Sequence, residues 1–167
     1  DSPDVPVTEL NIAQSENSSY IDPSDKDFIL NSNNSGNGSN FNGANYFLSE
    51  DAGLTWGGSV QGAGGGNSGD PSTAINLDGS RMYVNFISNS YGMGLAYSTN
   101  NGSTWSPVSV APNPGQVADK NHMWVDNSPS SPYLGNMYIS WTDFGGSYDY
   151  DVVISKSTNN GTSWSTR

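Results

Sequence analysis

The chain has 167 residues, a formal net charge of −11 and no cysteine. Five Lys and Arg against sixteen Asp and Glu cannot furnish the clustered cations that displace counterions from phosphates, so nucleic acid is excluded as a partner. The missing thiols exclude disulfide staples and thiolate metal sites, and no apolar run approaches the roughly 20 residues of a membrane span.

In chain order, the same succession of segments occurs three times, over about 10–60, 68–110 and 117–167. Each unit opens with a short apolar stretch ending in a turn: SSYIDPSD at 18–25, STAINLDG at 72–79 and HMWVDNSP at 122–129. A second strand follows at 27–33, 81–88 and 136–144. Its alternation, seen in Met82-Val84-Phe86 and Met137-Ile139-Trp141, is the period-2 signal of a pleated, half-buried segment. A polar loop leads to a third strand at 45–49, 94–98 and 151–157. Ser, Asn, Gly and Thr dominate the remainder; they form turns readily and helices poorly, and no segment carries a 3.6-residue apolar period. The expectation is an all-β chain with essentially no helix. The Gly- and Asn-rich stretches 34–44 and 57–69 read as surface connections, the second linking two units.

Each third strand ends in one octapeptide: SEDAGLTW from Ser49, STNNGSTW from Ser98 and STNNGTSW from Ser157. Repetition at a period of about 50 residues marks a propeller or array of supersecondary blocks. Ser49, Ser98 and Ser157, with Asp51, Asn100 and Asn159, are short side chains able to bond backbone groups inside a turn. Gly53, Gly102 and Gly161 fall where a left-handed residue is required. Trp56, Trp105 and Trp164 supply an apolar plate and open a fourth strand. Four antiparallel strands per unit is the anatomy of a β-propeller blade, and about three blades are present. Closed propellers hold more, so three blades leave exposed edges. The expectation is a partial propeller completed by the remainder of a longer chain or by a second copy.

The octapeptide resembles the Asp-box of bacterial neuraminidase-like repeats, and 119–144 resembles a blade-opening segment of sialidase-like propellers. The resemblance implies a secreted or cell-surface bacterial protein with the boxes on the rim, away from any active site. It also implies, for a sialidase, three arginines around a sugar carboxylate, a Tyr–Glu nucleophile pair and an acidic Asp. The chain holds only Arg81 and Arg167, and 1–48 contains no arginine. No residue is therefore assigned as catalytic.

Glu16 and Asp70 lie six residues before the turn positions Asp22 and Asn76, and Asp119 lies seven before Asp126, each near the opening of an inner strand. In a propeller these positions converge on the central funnel, as a carboxylate ring or sugar-binding mouth; the plainer alternative is solvated strand ends. Asp143, Asp149 and Asp151 gather oxygen ligands suited to calcium, without the spacing of an EF-hand loop. Tyr148, Tyr150 and Tyr91 can stack on sugar rings. His122, lacking a companion, reads as a strand or turn residue. The leading expectation is a non-catalytic propeller segment that binds glycans or an extracellular protein. Alternatives are a portion of a sialidase-like glycoside hydrolase whose catalytic residues lie largely outside this chain, and a structural spacer.

Overall fold

The computed structural model describes residues 3–37 and 40–166; Arg167 lies outside them, as do Gly38 and Ser39 of the 34–44 stretch. The strands are β1 (Ala13–Ile21), β2 (Ile29–Asn37), β3 (Asn40–Ala44), β4 (Tyr46–Ser49), β5 (Gly57–Ser59), β6 (Ser72–Ile75), β7 (Met82–Ile87), β8 (Met93–Ser98), β9 (Ser106–Ala111), β10 (Val117–Val125), β11 (Met137–Phe144) and β12 (Asp151–Ser157). No helix occurs among the described residues. The pairings are antiparallel and fall into three sheets, β1-β2-β4-β5 with β3 on β2, β6-β7-β8-β9, and β10-β11-β12. They form three successive blades of a β-propeller, with β1, β6 and β10 innermost and touching across the blades.

Two apolar layers hold the blades together. Leu30 of blade one packs with Ile75, Met82 and Val84 of blade two, flanked by Tyr20, Leu48 and Trp105. Tyr83 and Leu95, on the opposite face of blade two, pack with Val125, Met137, Ile139 and Trp141 of blade three. Alternation explains why blade two serves both neighbours: successive residues of β7 point to opposite faces, and all six are buried. Hydrogen bonds stitch the inner strands between these layers. Ser18 Oγ accepts the Thr73 amide at 3.0 Å, and Ser72 Oγ accepts the Met123 amide at 2.9 Å.

Three expectations change in detail. The stretch 34–44 is not a loose connection, because β2 runs on through it and folds back as β3, with Asn34 and Ser35 buried. Its backbone finds ladder partners although its side chains show no apolar alternation. The stretch 57–69 begins as β5 and then buries Ala63 and Asn67, whose side-chain amide bridges to Ala44. The fourth strands start after the octapeptide tryptophans, at Gly57 and Ser106; in blade three, the Ser165 amide donates to the Lys156 carbonyl at 2.8 Å.

Candidate functional site

The innermost segment of each blade is interrupted at one place. The β1–β2 register shifts between Ser15 and Ser18, and the β10–β11 register shifts between Asp119 and His122. Blade two breaks at Asp70-Pro71, just before β6. The residue at each break is left-handed: Glu16 has φ 54°, Asp70 55° and Lys120 53°. Non-glycine residues seldom adopt that conformation, and bulges re-aim side chains out of the sheet plane. Here all three aim at one cavity of about 410 Å³, lined by Glu16, Asn17, Asp70, Pro71, Lys120 and Asn121. These are the same two consecutive positions taken from each blade.

The cavity is polar and its members are tethered. Lys120 Nζ reaches Glu16 Oε2 at 2.9 Å, joining blade three to blade one. That hydrogen bond, then the charge of Glu16, holds the ammonium above its ordinary pKa. Asn34 Nδ2 donates to Asp70 Oδ1 at 3.0 Å, while the Asp70 amide donates back to Asn34 Oδ1 at 2.7 Å. Asn121 Nδ2 donates to Oδ1 of buried Asn85 at 2.6 Å. The cavity thus presents acceptors from two carboxylates, one cationic donor and amides, a set suited to hydroxyl-rich ligands.

Of the sequence candidates, the structure brings Glu16 and Asp70 together. Asp119 is not among the cavity residues; its Oδ1 accepts the Lys120 amide at 2.7 Å. The third position is Lys120, which lies six residues before Asp126, the same offset that marks Glu16 and Asp70. Counting the offset rather than seeking a third carboxylate finds it.

The octapeptides lie elsewhere, and none of their residues lines this cavity. Ser49 Oγ accepts the Gly53 amide at 2.8 Å, Asp51 Oδ1 accepts the Thr55 amide at 2.8 Å, and Trp56 Nε1 donates to the Gly53 carbonyl at 3.1 Å. Ser98 with Gly102 and Asn100 with Thr104 repeat the first two bonds. Ser157 with Gly161, Asn159 with Ser163 and Trp164 with Gly161 repeat all three. Trp105 is packed against Tyr46, ring centroids 5.0 Å apart. These residues close hairpins.

Among the described residues, no three His, Cys, Asp or Glu side chains converge as a metal site. Asp143 is buried in β11, whereas Asp149 and Asp151 are exposed, and Asp149 Oδ1 accepts the Gly145 amide at 2.7 Å. Tyr150 packs edge-on against Phe144, and exposed Tyr148 shares a cleft of about 340 Å³ with Trp164 and Pro112. Tyr91 and His122 are exposed. Arg81 stays out of the funnel, stacked 4.3 Å over Tyr97 and donating to the Asn160 carbonyl at 2.9 Å.

No family model matches the sequence, and no curated protein matches it. Solved structures resemble its fold. A protein of unknown function from Dyadobacter fermentans aligns over 95% of this chain and 51% of its own, with a TM-score of 0.66 at 15% identity. The Bacteroides ovatus xyloglucan PUL GH43B aligns over 87% of this chain and 27% of its own, with a TM-score of 0.57 at 19% identity. The GH74 xyloglucanase from Xanthomonas campestris aligns over 89% of this chain and 22% of its own, with a TM-score of 0.55 at 17% identity. The chain thus spans about half or less of these relatives. The shared feature is the fold, an all-β propeller architecture of the kind found in glycoside hydrolase domains. No helix among the described residues is long and apolar enough to cross a membrane.

Proposed function

We propose that this chain is a secreted or cell-surface Asp-box propeller segment, bacterial and sialidase-like in architecture, that binds glycans non-catalytically at its funnel mouth. The observation that carries the reading is the convergence of three equivalent left-handed residues, Glu16, Asp70 and Lys120, on one polar cavity. Backbone strain at equivalent positions of successive blades is a local cost retained where side chains must be aimed. Carboxylate acceptors beside an ammonium and amides match the alternating donors and acceptors of sugar hydroxyls. The glycoside hydrolases among its fold neighbours are in keeping with a carbohydrate ligand. The Ser-x-Asp/Asn-x-Gly-x-Thr/Ser-Trp turns, with their repeated bonds, support the Asp-box relation.

A glycan array, run with and without a calcium chelator, tests the reading. Retention of oligosaccharides by the parent chain, its loss in Asp70→Asn and Lys120→Met, and indifference to the chelator are expected. No retained glycan in either condition refutes it. The second reading, a portion of a glycoside hydrolase, is favoured by the two carboxylates in the same cavity, because such enzymes work with a carboxyl pair. Cleavage of any member of a panel of chromogenic glycosides, abolished by Glu16→Gln or Asp70→Asn, would establish it in place of the first.

A further inference from the structure

We propose that a cleft walled by Phe41, beside the funnel cavity, is a second sugar subsite. The ligand of the mouth is then an oligosaccharide of at least two rings, with an uncharged ring stacked on Phe41. This rests on the glycan reading of the funnel and extends it from a single ring to a chain.

The cleft has a volume of about 220 Å³ and lies on the face of blade one that meets blade two. Along β2, Asn34 and Gly36 share a face with Leu30, which packs toward blade two, and Ser15 of β1 stands opposite Asn34. The returning strand β3 adds Asn40 and Phe41 to the wall. Two connections join this cleft to the funnel cavity. Ser15 lines the one and Glu16, the next residue, lines the other. The Asn34 side chain lines the cleft while both of its polar atoms hold Asp70 of the cavity. A single amide therefore divides the two spaces, and both sides of this junction, blade one and the segment entering blade two, belong to the chain.

Phe41 is 59% exposed and belongs to neither apolar layer. Single exposed apolar side chains are ordinary; this one is set apart by the way it is held. Its ring edge lies against the bare backbone of Gly69, where a Cβ would strike Asn34 Oδ1 and come 2.8 Å from Phe41 Cζ. Gly69 directly precedes Asp70, and consecutive Cα atoms are about 3.8 Å apart, so the ring begins one residue step from the funnel wall. Asn67 locks the two sides together. Its Oδ1 accepts the Ala44 amide at the end of β3 at 2.6 Å and the Gly69 amide at 2.9 Å, and its Nδ2 donates to the Ala44 carbonyl at 3.0 Å. The hairpin that carries Phe41 is an addition to blade one, since the corresponding connections of blades two and three, 89–92 and 145–150, hold no strand. A rigid, open aromatic face beside a polar cavity suits a pyranose. The ring face is the negative side of a quadrupole and attracts the weakly positive C–H bonds on one side of the sugar. Its hydroxyls then point to the rim, where Ser15 and Asn40 are exposed. The described residues lining the cleft are uncharged, unlike Glu16, Asp70 and Lys120 in the cavity, so a charged ring would lose solvent there without gaining a partner.

Immobilised neutral hexose oligosaccharides, from one to four rings in gluco, galacto and manno series, test this with the 167-residue chain. Phe41→Ala is expected to lower retention of the two- to four-ring members about tenfold, the worth of one aromatic contact, and to leave single rings as the parent holds them. Phe41→Tyr and Phe41→Trp should retain the longer members as the parent does, whereas Asp70→Asn, in the funnel itself, should lower every length alike. An unchanged circular dichroism spectrum and melting temperature in Phe41→Ala separate loss of the platform from loss of the fold. In the parent, the amide signals of Gly36, Phe41 and Gly69 are expected to shift on adding a retained tetrasaccharide. Chains with a uronic acid beside the terminal ring should be held less well than their neutral counterparts, and equal retention would overturn the neutral assignment. No retained glycan at all would refute the funnel reading. Retention that Phe41→Ala leaves unchanged at every length, an equal loss for one ring and for four, or unmoved amide signals would each overturn the second subsite and leave the funnel reading standing.

Discussion

At the scale of the residue, the octapeptides show why Asn replaces Asp so readily. Asp51 accepts from the Thr55 hydroxyl at 2.6 Å, whereas the Asn100 amide donates to the Thr104 hydroxyl at 2.9 Å, so the turn closes with either polarity. The two choices differ in acid. The Thr55 hydroxyl, then the Thr55 amide and the Ser49 hydroxyl, hold the Asp51 carboxyl below its ordinary value of 3.8. A lowered folded value means that the charged form supports the fold; this support is present above 3.8 and lost as pH falls through the lowered value. Asp51→Asn is expected to keep the parent melting temperature at neutral pH and to flatten its decline in acid, read as the difference between the two proteins across a pH series. The next position differs too. Ala52, Asn101 and Asn160 are all left-handed, at φ 57°, 50° and 55°. Alanine resists that conformation while asparagine tolerates it. Ala52→Asn should therefore raise stability by about 1 kcal/mol, and Asn101→Ala lower it by a similar amount, in urea titrations.

At the scale of the element, the octapeptide closes its own hairpin and also meets the neighbouring blade. All three glycines are left-handed, so alanine strains each. The space around them differs. A Cβ on Gly53 meets nothing closer than 3.7 Å, whereas on Gly102 it would lie 2.7 Å from Leu48 and on Gly161 3.0 Å from Leu95. Gly102→Ala and Gly161→Ala are expected to cost about 1–3 kcal/mol more than Gly53→Ala, the usual penalty of overpacking, as measured by chemical denaturation of the three variants. The repeated Gly and Trp were legible in the sequence because turn closure needs those residue types at that spacing. The strands around Met82–Phe86 and Met137–Trp141 were legible through alternation. The β2–β3 hairpin was not, since Asn, Ser and Gly bury there through hydrogen bonds, as where Asn34 holds Asp70, and leave no apolar period. Two of the three left-handed positions at the cavity, Glu16 and Asp70, could be read from the sequence. Lys120 escaped because a bulge is placed by strand register, which is blind to the sign of the charge it presents.

At the scale of the whole molecule, the blades behave as a short array in which each touches its neighbours. Blade two is buried on both faces, while blades one and three each contribute one face to a shared layer. In such a quasi-one-dimensional arrangement, stability is approximately a sum of blade terms and nearest-neighbour interface terms. Leu30, fully buried between blades one and two, and Trp141, 1% exposed between blades two and three, therefore report on different junctions. Leu30→Ala is expected to cost about 2–5 kcal/mol and Trp141→Ala about 3–5 kcal/mol. The more telling outcome is spatial, because sub-global opening exposes amides in contiguous units. In Leu30→Ala, amides of β1, β2 and β4 should lose hydrogen-exchange protection ahead of those in β11 and β12. In Trp141→Ala the order should reverse, with β11 and β12 opening first while blade one remains protected. Equal loss across all three sheets in both variants would mean that the blades unfold as one unit, and the nearest-neighbour description would fail. The inner-strand bonds from Ser18 and Ser72 set how far that independence can go: each couples two blades through a single hydroxyl, against the many apolar contacts of the layer beside it.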